Sequence, residues 1–214
     1  MIRRAFAANL VPAVALWGFA LAILLGYSIH PPTRAVLDSL ALLKKQLGLG
    51  FSMPAQALAS GLLPFLFQKL QSGSHRKTAL VHVPYLMLYW ALEGALVDLF
   101  YGLQAQLFGD NARIGTIVIK VIVDMGLFSP LLSMPLVVCA FAFKDAGFSF
   151  SKTRELLGRG WYKSRVIPVY IAALLVWTPA VAVLYALPLG VQFPFQATVA
   201  CFWALILVIM TDKK

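Results

Sequence analysis

The chain alternates between long apolar runs and short clusters of basic residues. The apolar runs cover residues 10–29, 51–68, 79–108, 114–143 and 166–211. A helix of roughly 20 apolar residues crosses the hydrocarbon core of a bilayer. The last run is long enough for two such helices, with a turn predicted at residues 188–194. The pattern therefore predicts about six membrane segments.

Helices are favoured over strands because the runs are continuously apolar and show no alternation. In lipid, a helix satisfies every backbone polar group within its own segment. We therefore predict an all-α, polytopic transmembrane helical bundle that forms a single membrane domain over residues 1–214. The first run is predicted to be a retained span, because no small-residue cleavage pattern follows it.

A shorter, amphipathic pattern separates the first two runs. Apolar residues recur at helical spacing, at Val36, Leu37, Leu40, Leu43 and Leu47. Polar and charged residues occupy most of the other positions, which is typical of a helix at the membrane surface. We predict a short interfacial helix over residues 33–48.

Composition agrees with a membrane protein. Hydrophobic residues make up 61% of the chain, charged residues 12%, and the mean hydropathy is +0.83. Soluble domains are about half apolar and a quarter charged. These values exclude a soluble enzyme and a disordered chain.

The net charge of +10 reflects topology and gives no indication of nucleic-acid binding. Of the 18 Lys and Arg residues, 13 fall on one predicted side of the membrane and four on the other. The positive-inside rule then places both termini on the cytoplasm-like side. The largest basic cluster begins at Lys144 and ends at Arg165, and we expect it to lie on anionic lipid headgroups.

Four ionisable residues lie inside the predicted spans: Glu93, Asp98, Lys120 and Asp124. Each costs about 2.5–3.5 kcal/mol at mid-helix on insertion scales, so each needs a partner or water. Lys120 and Asp124 are four residues apart and can pair along one helix face.

The depths of these residues predict a polar layer. Asp98 lies about ten residues before the end of its span and Asp124 about ten residues after the start of the next span, so both are roughly 15 Å deep. We therefore expect Asp98, Lys120 and Asp124 to meet, with Gln104 extending the layer outward. Glu93 is expected to face a different neighbour. The layer is either a polar pathway through the bundle or a charge network that joins two helices, and the sequence leaves both open.

No pattern of catalytic or metal-binding residues stands out. The chain has no nucleophile elbow, no phosphate-binding loop and no metal-ligand spacing. We predict no catalytic, cofactor or metal site. An intramembrane enzyme acting on lipid or isoprenoid substrates through Asp98 and Asp124 is kept as an alternative.

Several motifs resemble the Mpv-type family of peroxisomal and mitochondrial inner-membrane proteins. The resemblance lies in Lys120 followed by Asp124 and Pro130, then Trp177 and Pro179, then Pro188 and the Trp203 of the last span. The basic stretch at residues 75–78 also resembles the family. The similar region covers residues 55–212, while residues 1–52 add an extra span and the interfacial helix. Met125 departs from the family, which has Gln at this position.

The resemblance implies a membrane protein with channel-like permeability for small solutes. We therefore predict a weakly selective channel or permeability protein, without a cofactor, in a bacterial inner membrane or, in a eukaryote, an organelle membrane. A homo-oligomer is compatible with this function. The alternative is a non-transporting membrane protein that acts through protein partners docked on the basic cluster.

Overall fold

The computed structural model describes residues 2–70 and 79–211, with side chains for residues 10–70 and 79–205. These residues form eight helices and no strand. In chain order the helices are α1 (Ile2–Ile29), α2 (Pro31–Leu47), α3 (Leu49–Leu70), α4 (Leu80–Phe108), α5 (Ile114–Asp145), α6 (Phe150–Leu157), α7 (Tyr162–Tyr185) and α8 (Leu189–Thr211). The prediction of an all-α helical bundle is confirmed.

The chain is an integral, multi-pass membrane protein. Five helices, α1, α3, α4, α5 and α7, are long and apolar enough to span a bilayer. The sixth predicted segment is helix α8, which has 23 residues, and its stretch Leu189–Leu205 is apolar. Two of the predicted basic clusters, at residues 75–78 and at Lys213 and Lys214, lie outside the described residues.

The predicted turn at residues 188–194 is wrong in its extent. Helix α7 ends at Tyr185 and α8 begins at Leu189, so only residues 186–188 connect the two helices. Pro194 lies inside α8. Val191, Phe193 and Phe195 are each at most 2% exposed although they are only two residues apart, so the start of α8 is buried on more than one face.

Helix α8 is the central helix of the bundle. It packs against α1, α2, α3, α4 and α7. Its residues 191–197 are buried on every side of the helix. Burial on every side, which includes the polar Gln192 and Gln196, places this part of α8 at the centre of the bundle.

Helix α2 packs on the bundle through one face and leaves another exposed. Leu37, Leu40 and Ala41 join the core against α1 and α8, and Lys44 lies on the same face. Val36, Leu43 and Leu47, which the sequence placed on the apolar face, are exposed. Gly48, with φ of +56°, ends the helix as expected.

Three spans contain segments with the wider hydrogen-bond spacing of a π-helix. Each segment ends two residues before a proline: Ala57–Leu62 before Pro64, Asp124–Ser133 before Pro135, and Tyr162–Val166 before Pro168. A proline has no N–H to donate, and its ring clashes with the carbonyl four residues earlier. The helices accommodate these prolines by widening.

Tyrosine hydroxyls satisfy carbonyls that the prolines leave without a donor. In a π-helix the N–H of residue 130 would bond to the carbonyl of Met125, but residue 130 is proline. The Tyr170 hydroxyl donates to that carbonyl instead, at 2.8 Å. In the same way the Tyr162 hydroxyl donates to the carbonyl of Pro130, five residues before Pro135, at 2.8 Å. These bonds tie α7 to the widened part of α5.

Candidate functional site: a polar cavity inside the bundle

Asp98 is held by a lysine from the amphipathic helix. Lys44 Nζ lies 2.7 Å from Asp98 Oδ1, and the Ser52 hydroxyl donates to Asp98 Oδ2 at 2.6 Å. Asp98 is 8% exposed, and the Lys44 side chain is 19% exposed. This ion pair joins α2, α3 and α4 and leaves each Asp98 oxygen with a partner.

The predicted pairing of Lys120 with Asp124 and Asp98 does not form. Among the described residues, the ion pairs are Lys44 with Asp98 and Lys144 with Asp145. Lys120 is only 1% exposed, and its Nζ lies 5.5 Å from the centre of the Tyr185 ring. The sequence argument failed because it considered only α4 and α5, whereas α2 and α7 supply the actual partners.

Asp124 is bound through hydroxyl groups. Tyr185 of α7 donates to Asp124 Oδ2 at 2.7 Å, and Ser129 approaches Oδ1 at 3.4 Å. Gln104 Nε2 donates in turn to the Tyr185 hydroxyl. The predicted extension of the layer by Gln104 is thus present, but it reaches Asp124 through Tyr185.

Glu93 faces a different neighbour from Asp98, as predicted. Its Oε1 accepts a hydrogen bond from Ser133 of α5 at 2.6 Å, while its Oε2 has no partner. Glu93 and Asp124 thus have different hydrogen-bond partners, although both side chains line the same cavity.

A cavity of about 400 Å³ lies next to these groups. It is lined by α3, α4, α5, α7 and α8 and is partly open, and it extends from Asp124 towards the exposed residues Phe141 near the end of α5 and Val169 near the start of α7. Most of its lining is apolar. Its polar lining residues are Gln56, Ser60, Glu93, Tyr101, Asp124, Ser129, Ser133 and Gln196, joined by the indoles of Trp90, Trp177 and Trp203.

Among the described residues, seven buried side-chain atoms lack a hydrogen-bond partner, and three of them belong to residues that line the cavity. The other four are His82 Nδ1, Tyr89 Oη, Gln104 Oε1 and Gln192 Oε1. Glu93 Oε2, Gln56 Oε1 and Gln196 Oε1 have no hydrogen-bond partner, and all three residues line the cavity. They are 7%, 2% and 9% exposed, respectively. A buried polar atom that lacks a hydrogen bond costs about 1–3 kcal/mol. Unpaired acceptors therefore mark the cavity as a place for a donor.

Some of these residues were missed by the sequence analysis. Gln56 and Gln196 are uncharged, so a search for ionisable residues in the spans passes over them. Spacing was the available signal: Ser52, Gln56 and Ser60 recur every four residues on α3, as Gln192 and Gln196 do on α8. A polar residue every fourth position puts a polar stripe on one helix face.

The family-motif residues have different positions relative to the cavity. Trp177 lines it. Pro130 lies in the widened segment of α5, directly after the lining residue Ser129. Pro179 lies inside α7, and Pro188 lies in the connection to α8, so these two shape helices without lining the cavity.

The basic cluster between Lys144 and Arg165 is largely helical. It includes the end of α5, the helix α6 and the first turn of α7. Ser149 caps α6 by accepting from the backbone N–H of Lys152, and Phe150 is 83% exposed beside the basic residues. Contact with anionic headgroups stays a prediction for this surface.

No family model, no curated protein and no solved structure matches this chain.

Proposed function

We propose that this membrane protein lets small solutes cross its bilayer through the cavity between α3, α4, α5, α7 and α8. The observation that supports the proposal is the cavity itself, with a volume of about 400 Å³ and two carboxylates in its wall. Small-molecule sites occupy about 300–1,000 Å³ and combine apolar walls with a few polar groups. Intramembrane carboxylates are costly and commonly mark solute or ion pathways.

A group of buried side chains lies beside Asp124, at the edge of the cavity. Tyr101, Gln104 and Tyr185 are 4%, 1% and 2% exposed, and Lys120 packs on the Tyr185 ring. A solute that enters beside Asp124 would have to displace this group to continue. We propose that it forms a gate, with the hydrogen bonds of Tyr185 to Gln104 and Asp124 holding the closed state.

The widened segments fit a pathway that opens and closes. The segment Asp124–Ser133 supplies several of the lining residues, and Ser60 lies in the segment Ala57–Leu62. π-helical turns often occur at functional sites, because they re-aim side chains within an otherwise regular helix. The resemblance to the Mpv-type family and the placement of both termini on the cytoplasm-like side stay predictions.

Flux into liposomes tests the proposal. We expect the purified wild type to raise the permeability of liposomes to small solutes above that of protein-free liposomes, in a series that includes glycerol, urea and methylammonium. Asp124→Asn should change the ratio of methylammonium permeability to glycerol permeability by about tenfold, because it removes an ionisable group from the cavity wall. A tenfold change corresponds to a free-energy difference of ~1.4 kcal/mol. Glu155→Gln also removes one negative charge, at an exposed position of α6, and should match the wild type.

The unfolding midpoint of each variant in detergent separates a change in the pathway from a loss of folding. Altered selectivity in folded Asp124→Asn supports a pathway. The absence of wild-type flux for every solute in the series would overturn the proposal and leave the polar groups as structural contacts between helices.

A further inference from the structure

Two carboxyl groups line the cavity, those of Glu93 and Asp124, and none of its lining residues in the described chain is basic. Asp124 already has a partner for each oxygen. Glu93 Oε2 has none, although the side chain is only 7% exposed. A buried carboxylate keeps its charge only when it is paired and hydrogen-bonded. Glu93 can therefore be ionised in this wall only when a cationic donor meets Oε2.

Two further acceptors lie in the same wall. The amide oxygens of Gln56 and Gln196 have no partner, while Gln56 Nε2 is already used to donate to Ser60 at 3.2 Å. Three residues of the wall thus each have an acceptor oxygen with unused capacity, and each oxygen is buried, so its side chain must turn to meet a ligand. A primary ammonium group has three N–H donors and no acceptor, so its donors are equal in number to these three acceptor oxygens. An anionic solute would add repulsion without satisfying any of the three.

Aromatic rings supply a second means of binding a cation. Three of the five tryptophans of the chain, Trp90, Trp177 and Trp203, line the cavity. The face of an indole attracts a cation, by roughly 0.5–1 kcal/mol at exposed sites and about 2 or more where water is excluded. Most of the remaining wall is apolar and suits a short hydrocarbon body attached to the cation.

We infer that the cavity binds a small organic ammonium ion, with Glu93 as its counter-ion and the three indoles around it. This inference rests on the proposed function and names the class of solute that the pathway takes. Glu93 and the two glutamine oxygens receive the N–H donors, and the apolar wall receives the alkyl group. A neutral solute of the same shape leaves the Glu93 charge uncompensated and binds more weakly.

The test compares n-butylammonium with n-butanol, which has a hydroxyl in place of the ammonium group. The full-length protein in dodecyl maltoside micelles is titrated with each, and tryptophan fluorescence reports binding. We expect saturable binding of n-butylammonium and a Kd at least about tenfold higher for n-butanol, as expected when a charge-assisted hydrogen bond is lost. Affinities for the two probes within about threefold of each other would overturn the inference.

Glu93→Gln should raise the Kd for n-butylammonium by about tenfold or more, since it removes the counter-ion but keeps the side-chain shape. Glu155→Gln makes the same change at an exposed residue of α6 and should leave the Kd unchanged. If Glu93→Gln does not fold, Gln196→Leu removes an unpaired acceptor and should raise the Kd by about threefold or more. An unchanged Kd in the folded variant contradicts the inference.

An ethanolamine lipid headgroup carries the same primary ammonium as a soluble amine. Mixed micelles containing phosphatidylethanolamine or, as the control, phosphatidylglycerol distinguish the two sources. Competition by the ethanolamine lipid alone assigns the site to a headgroup, and no competition assigns it to a soluble amine. Both results support an ammonium site.

Binding and flux can fail independently. Glu93-dependent binding without flux of any solute would retain the ammonium site and overturn transport. Flux that is equal for charged and neutral solutes, and equal in the wild type and Glu93→Gln, would support transport and overturn the ammonium preference.

Discussion

Replacement of Gly94 by alanine is expected to destabilise the bundle by about 2–3 kcal/mol, at the upper end of the usual cost of overpacking. A Cβ at this position would lie 2.5 Å from Gln56 Cβ and 2.9 Å from the carbonyl oxygen of Ser52. Both neighbours belong to α3, and the Ser52 oxygen is backbone, so α3 as a whole must move away from α4. Small residues allow such close helix contacts in membranes.

Gly102→Ala is the matched control, because it makes the same change on the same helix with nothing within 4 Å of the new Cβ. It should be neutral or stabilise the protein by less than about 1 kcal/mol. Reversible unfolding in mixed micelles of dodecyl maltoside and SDS measures both variants. Equal midpoints for the two would contradict the close packing of α3 on α4.

Lys44→Met is expected to lower the free energy of unfolding by roughly 3 kcal/mol. This is the lower end of the range for breaking a buried ion pair, because the lysine is still 19% exposed. Methionine retains most of the apolar stem of lysine, so the loss reports the missing charge on Nζ. Asp98 would keep only the Ser52 hydroxyl as a partner and would remain 8% exposed. The same unfolding measurement quantifies the loss.

Two variants show whether the charge of Asp98 causes this loss. Lys45→Met makes the same change at the next residue, which is exposed, and should have little effect on the unfolding midpoint. Asp98→Asn in the Lys44→Met background removes the uncompensated charge and should recover most of the lost stability. If Lys44→Met and Lys45→Met behave alike, the ion pair does not hold α2 on the bundle.

The spans could be predicted from the sequence because each depends on local composition alone. An apolar run such as residues 114–143 specifies a membrane helix whatever its neighbours are, and the observed helix is Ile114–Asp145. The different orientations of Glu93 and Asp98 were also predictable, since five residues turn an α-helix by about 140° beyond one full turn.

The partners of the intramembrane charges could not be predicted in this way. The pairing of Lys44 with Asp98 depends on α2 docking beside α3 and α4, and the local pattern of α2 indicated only that the helix is amphipathic. The contact of Asp124 with Tyr185 likewise depends on how α7 packs against α5. Both bonds are set by tertiary packing, which the periodicity of one segment does not encode.

The cavity was not predictable for a related reason. It is the space that remains when five helices pack imperfectly, so no single segment specifies it. Gln56 and Gln196 lie far apart in the chain and become part of one wall only in the folded bundle. The sequence did indicate polar positions within the spans, and Glu93 and Asp124 are indeed in that wall.

The central claim is that solutes pass through this cavity, and filling it tests the claim most directly. Ala173 lines the cavity, and Ala173→Phe would occupy part of its volume of about 400 Å³. Ala22→Phe makes the same change at an exposed position of α1, which contributes no lining residue. With both proteins folded in liposomes, we expect Ala173→Phe to reduce solute flux at least about tenfold, a change of ~1.4 kcal/mol, and Ala22→Phe to retain it. Equal flux through the two variants would contradict the account.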